Sequence, residues 1–231
     1  MIYSFTWNGV NSRTKGIRLK SMPEIIRPQE RIGHVTIPGR TGEMTLAEGD
    51  DIYESYIQTI PMAVDSEENV RAVEAWLRGD GVVSFSGQSH LQQRARVINA
   101  VTFTRHGRNS NWWDGDVQFY CDPVKHAVAE EDIEITTSGT TVENPGDMQG
   151  FPLIEITGSG IVTIASGGKT LTIPECVSGW VVDCENEWIL QGNIPQANAC
   201  SGDFPVFNKG NNAVTFTGAT KLTITPRWRY L

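Results

Sequence analysis

The side chains able to do chemistry begin with clustered acids. Carboxylates fall together at Asp50/Asp51, at Glu130/Glu131/Asp132 and at Glu185/Glu187, and sugar hydrolysis needs only two of them, placed ~5 to 9 Å apart across a glycosidic bond. Neighbours in sequence do not by themselves produce that separation, and such pairs are common on an acidic surface, so the bland reading is solvated charge. His34, His90, His106 and His126 are scattered without an H-E-x-x-H pattern. The near pair Cys121 and His126 supplies two ligands where zinc usually takes three or more from protein. No G-x-S-x-G elbow marks a serine nucleophile. "TIASGGKT" ends as a phosphate-binding loop does, but the pattern's first glycine would fall on Thr163, and "LTIP" follows as a strand where a helix is required. It reads as a two-residue hairpin. "IPGRTGEM" fails the same test, and its Pro38-Gly39 suits the two central positions of a type II turn between strands. No reaction, metal or cofactor is expected. Among seven tryptophans, Trp180 and Trp188 could stack sugars as a platform, although rings in a β protein more often anchor cores or interfaces.

Composition narrows the partners. A formal net charge of -8 and a pI of about 5.0 disfavour a protein that neutralises phosphates. No start resembling a secretion signal and no apolar run near the ~20 residues of a membrane span is visible, which points to a soluble protein without membrane insertion. Cys121, Cys176, Cys184 and Cys200 are sparse and lack finger-like spacing. They read as reduced thiols, with a Cys176–Cys184 disulfide as the alternative.

The elements that must position these residues are mostly strands. Short β-type runs such as "IYSFTW", "HVTIP", "MTLAE", "ARVINAVTFT", "GDVQFY", "PLIEIT", "GIVTIA", "KTLTI", "WVVDCE", "EWILQG", "AVTFTG" and "KLTITP" are separated by turn residues. Asn8-Gly9, Asp114-Gly115, Gly167-Gly168 and Gly218 are the expected hairpin turns. One segment, "DSEENVRAVEAWLRGDG", predicts a helix over about 66–78, with Asp65 and Glu68 as a capping box and Gly79 closing it. Its Val70, Val73, Trp76 and Leu77 share one face, so it lies on a sheet. A polar, proline-bearing stretch after residue 122 predicts two domains, 1–128 and 129–231.

Taken in order, "FTWNGVNSRTKGI", "ERIGHVTIPGRTGEM", "EAWLRGDG", "FYCDPVKH", "WVVDCENEW", "SGDFPVFNKGNNAVTFTG" and "LTITPRWRYL" resemble the distal tail (Dit) proteins of long-tailed, non-contractile bacteriophages, the Sipho-tail family. The resemblance spans nearly the whole chain. It implies a mainly β protein: an N-terminal, tail-tube-like β-sandwich with one helix and a protruding hairpin at about 31–56, then a galectin-like β-sandwich. It implies a structural role in the virion, at the tail tip, after synthesis and assembly in the bacterial host cytoplasm. The first half would form a hexameric ring that joins the tail tube protein to the tip or baseplate hub protein, with DNA passing through unbound. Arg31, Arg40, Glu43 and Glu48 on the hairpin could pair across subunits, or be solvated charges. The acidic balance suits a channel that repels phosphate. Longer relatives insert carbohydrate-binding modules, for which 231 residues leave no room. Sugar-binding galectins use a histidine, and none follows His126, so the second half is expected to be galectin-like in shape only. The rival readings are a carbohydrate-binding host-adhesion module and a wall-degrading glycosidase.

Overall fold

The computed structural model describes residues 3–47, 49, 51–192, 194–196 and 200–231. The chain divides into two units, one running to Val128 and the other from Ala129 to Tyr230.

The first unit holds β1 (Phe5–Trp7), β2 (Val10–Asn11), β3 (Ile17–Leu19), β4 (Ile32–Thr36), β5 (Glu43–Ala47), β6 (Tyr56–Val64), α1 (Glu67–Trp76), β7 (Asp80–Phe85), β8 (Leu91–Val97), β9 (Phe103–Arg105) and β10 (Trp113–Ala127). Eight of these strands make one antiparallel sheet in the order β2-β1-β7-β8-β10-β6-β3, with β9 against β10. Alternation sends Ile60, Met62, Val64, Val117 and Phe119 to one face, where they are fully buried with Phe5 and Trp7. Phe119 is the hub of that core, with ring centroids 5.4 Å from Phe5, 5.3 Å from Trp7 and 6.0 Å from Phe85. α1 covers this face through Val70, Val73 and Leu77, and Trp76 stacks on Phe5 at 5.8 Å. Each such side chain contributes about 1.5–3 kcal/mol when taken from water.

The helix exists where the 3.6-residue pattern puts it, but its cap differs. It starts at Glu67, so Ser66, extended at φ -158°, is the N-cap, and its Oγ accepts from the Asn69 N–H at 3.2 Å. The third helical position is therefore Asn69 and no Glu closes a box; Asp65 instead accepts from Asn69 Nδ2 at 2.7 Å. The helix ends at Trp76 with Leu77 as cap, and Gly79, at φ +71°, serves the turn into β7.

Asp114-Gly115 is not a turn. It lies inside β10, between β6 and β9. A Cβ on Gly115 would fall 2.6 Å from the Thr102 carbonyl oxygen and 2.8 Å from Phe103 Cδ1, so this glycine permits close strand approach rather than a chain reversal. The expected single strand "ARVINAVTFT" is likewise broken into β8 and β9.

The second unit holds β11 (Ile133–Ile135), β12 (Thr140–Asn144), β13 (Leu153–Ser166), β14 (Lys169–Cys176), β15 (Trp180–Asp183), β16 (Trp188–Gln191), β17 (Ile194–Pro195), β18 (Ser201–Gly202) and β19 (Gly210–Thr225). They form a nine-stranded antiparallel sheet along β11-β19-β13-β15-β16-β17, with β12 on β19, β14 on β13 and β18 on β14. "PLIEIT" and "GIVTIA" are one strand, β13, and "AVTFTG" and "KLTITP" belong to one strand, β19. The two pair over Leu153–Thr157 and again over Thr163–Ala165, with the register breaking between. Gly218 is the bulge at that break, not a hairpin turn. Its φ is +76° and the Ile161 carbonyl oxygen lies 2.0 Å from where a Cβ would stand. The bend brings Ile154 and Ile156 from one half, and Val162 and Ile164 from the other, into a single core with Val214, Phe216, Leu222 and Ile224. The fold is thus mainly β, with one α-helix among the described residues.

Candidate functional site

β4 and β5 pair with each other and form a two-stranded sheet of their own, in register Ile32↔Ala47 to Thr36↔Glu43. The ladder continues at the base through Glu30↔Tyr53 and the Arg31 N–H donating to the Ile52 carbonyl at 3.0 Å. At the tip, the Arg40 N–H donates to the Ile37 carbonyl at 3.1 Å and Gly39 has φ +82°, the type II turn that Pro38-Gly39 requires. Cross-strand register makes the hairpin two-faced. One face carries Val35, Met44 and Leu46, which are 42%, 37% and 45% exposed. The other carries His34, Thr36, Glu43 and Thr45.

The hairpin thus places Arg31 at its base, Arg40 in its turn and Glu43 at the start of β5. Glu43 Oε2 lies 3.7 Å from His34 Nδ1 of its own hairpin. Glu48 lies outside the described residues. What the sequence reading missed is that the aliphatic row, rather than these charges, is what the hairpin presents most unusually; the signal was the alternation of Val35, Met44 and Leu46 itself.

A second exposed surface occupies the face of the large sheet that α1 does not cover. Register aligns Asp80, Arg96, Tyr120 and Ile57 in one row across β7, β8, β10 and β6, with Val82 opposite Arg94 in the next. An open depression of about 520 Å³ lies over Val82, Arg94, Arg96 and Tyr120. Arg96 donates to Asp80 at 3.2 Å. At another place on the sheet, Asp114 is held below the ordinary carboxylate range, first by its hydrogen bond to His106 and then by Lys20 at 2.9 Å.

In the second unit, Trp180 and Trp188 do not make a platform. Trp180 is 8% exposed and part of the core, whereas Trp188 is 53% exposed. Trp188 stands across the ladder from Asp183, and Trp180 from Gln191, so the two rings leave opposite faces. Asp183 anchors a network instead: it accepts from the Glu185 and Asn186 N–H groups, from Asn186 Nδ2 at 3.0 Å and from Arg227 Nη1 at 2.8 Å. Burial pushes its carboxyl up, but the hydrogen bonds from Asn186 and Arg227 outweigh this and leave it below the usual range. Glu130 accepts from the Arg227 and Trp228 N–H groups at 2.9 and 2.8 Å, holding Arg227 at φ +52°. These acids are thus structural anchors of the C-terminal strand end. Asp50 lies outside the described residues.

All four cysteines are free thiols. Burial pushes Cys121 and Cys184 up to about 12 and raises Cys176 and Cys200. No three His, Cys, Asp or Glu residues are grouped to hold a metal among the described residues, and no helix there is long and apolar enough to cross a membrane. Charge is divided unevenly: 14 Lys and Arg against 15 Asp and Glu up to Val128, but 5 against 12 from Ala129 onward, net -1 and -7. Most of the net negative charge thus lies in the second unit.

No model of a known protein family matches this chain, and no curated protein matches it. Among solved structures it is similar to the crystal structure of SPP1 Dit, described as a paradigm of the hub adsorption apparatus in phages that infect Gram-positive bacteria. The two superpose with a TM-score of 0.77 over 100% of each chain at 16% sequence identity. The β architecture of this chain, first unit and second, is the fold of that phage protein.

Proposed function

We propose that this chain is a structural subunit of a phage tail tip. Copies associate head-to-tail into a six-membered ring that joins the tail tube protein to the tip or baseplate hub protein and leaves a passage for DNA. The observation that carries this is the full-length likeness to SPP1 Dit. The projecting hairpin supports it, since a closed ring of identical subunits needs two different surfaces per copy and an arm supplies one. The first unit is the ring-forming body and the second is galectin-like in shape. The role is mechanical: specific contacts, no bond made or broken, and no cofactor. Assembly takes place in the host cytoplasm and the product resides in the virion. Size-exclusion chromatography with light scattering tests the reading. Multimers that grow with concentration towards a six-copy limit support it, and a strict monomer at every concentration overturns it.

One observation favours a second reading, adhesion to host carbohydrate through the second unit. Trp188 is exposed beside the ordered Asp183–Arg227–Glu185 cluster. Binding to host wall polysaccharide that Trp188→Ala abolishes would establish it; no binding by the intact chain would remove it.

A further inference from the structure

Between β3 and β4, residues 21–28 cross the first unit without joining a strand or helix. Pro23 and Pro28 are buried, and neither has an N–H to place. Gly87, in the 3₁₀ turn Ser86–Gln88, lets this strap lie close: a Cβ there would stand 3.0 Å from Met22 Cε and 3.7 Å from the Pro23 carbonyl oxygen. Among the described residues, no backbone N–H of the strap donates a hydrogen bond, and one carbonyl accepts, that of Ile26, from Lys125 Nζ at 3.3 Å. Lys125 lies on β10, is 4% exposed, and also donates to Gln88 Oε1 at 3.1 Å. One buried cation thus ties strap, turn and sheet together. Its surroundings are polar. Gln93, opposite Lys125 in register, is buried and bonded to the Tyr56 hydroxyl at 2.9 Å, and Gln88, Gln92, Gln93 and Lys125 line a recess of about 10 Å³.

Two covers of the first unit therefore differ in what lifting them exposes. Lifting α1 would bring Val70, Val73 and Leu77 and the aromatic core beneath them into water. Lifting the strap returns an ammonium and two carboxamides to water, which recovers hydration that burial had cost them. Met22 and Ile25 of the strap are already 40% and 61% exposed. With few buried apolar contacts and no backbone ladder, the strap belongs to the low-stability end of the fold. We propose that residues 21–28 open as a unit while the sheet beneath stays folded, and that Lys125 is the latch that closes them. Closed, the β4–β5 hairpin is held at both ends, by the strap before it and by β6 after it. Open, it hangs from β6 alone, so the latch sets whether its direction is fixed or free. This is a property of the single chain and does not depend on the ring reading.

Trace amine acetylation of the full chain, located by mass spectrometry, tests the latch. Labelling of Lys125 relative to the exposed Lys20 is followed against urea, with tryptophan fluorescence reporting global unfolding. The expected result is Lys125 labelling below the unfolding transition, with a much weaker urea dependence than the transition itself, because only a short segment is uncovered. A lock supplies the second arm. Met22→Cys with Gly87→Cys, bridged by dibromobimane across the contact these residues make, should cut Lys125 labelling about tenfold or more below the transition, with the unbridged variant as control. Lys125 labelling that appears only across the global transition overturns the opening of the strap. Labelling that the bridge leaves unchanged overturns it as well, since Lys125 would then reach solvent by another route.

Discussion

Gly218→Ala should destabilise the second unit far more than Gly168→Ala, although both glycines share a left-handed backbone. Gly168 has φ +81° and nothing within 4 Å of an added Cβ, so its replacement carries only the backbone term, about 1–2 kcal/mol. Gly218 has φ +76°, and its Cβ would meet Ile161 O at 2.0 Å, Ile161 C at 3.0 Å and Val162 Cα at 3.2 Å. All three atoms are backbone of β13, so no side-chain rotation relieves the clash. An ordinary contact begins near 3.4 Å, and reaching it means moving β13 from β19 beside the buried Val162 and Phe216. Overpacking of this kind costs about 1–3 kcal/mol, and a disrupted ladder hydrogen bond about 1 kcal/mol more. The expected loss is about 3–6 kcal/mol, against about 1–2 kcal/mol for the control. Urea unfolding followed by tryptophan fluorescence measures both, because Trp180 and Trp228 lie in the core concerned. If the two variants lose stability equally, the bulge at Gly218 is not the close contact described.

The Asp183 carboxyl, lowered despite its burial, should stabilise the fold above the unfolded carboxylate pKa and lose that contribution as pH falls through its folded value. Asp183→Asn should therefore cost about 3 kcal/mol at neutral pH, and its deficit should shrink in acid unfolding titrations; a deficit independent of pH counts against the network. Ser66→Ala should lower stability by about 1 kcal/mol while Glu68→Ala changes it little in denaturant titrations, and the reverse order would restore the capping box that Asp65 and Glu68 suggest. In the native protein, Cys121 and Cys184 should resist thiol reagents at neutral pH and react once urea is added; rapid labelling of either in the folded chain contradicts its burial.

Local rules located much of this fold. Asn8-Gly9 and Gly167-Gly168 turn strands with φ of 49° and 77°, and 61° and 81°, because each pair accepts the left-handed backbone a two-residue hairpin needs. The buried positions of α1 follow from its period alone. Asp114-Gly115 and Gly218 misled because a glycine reads the same whether it serves a reversal, a bulge or the close approach of another strand; only the partner backbone distinguishes them. The candidate surface was legible as alternation in β4 and β5, but a strand buried on one face and a strand waiting for a partner alternate alike. Trp180 and Trp188 show the same limit. Their faces depend on the register of β15 against β16, which the spacing in sequence does not specify.

Electron microscopy of the purified full chain, at concentrations where light scattering records multimers, tests the central claim most directly. Closed rings of six copies with an open centre are predicted, their neighbours bridged by the hairpin. Scattered single copies, or chains that never close, contradict the account.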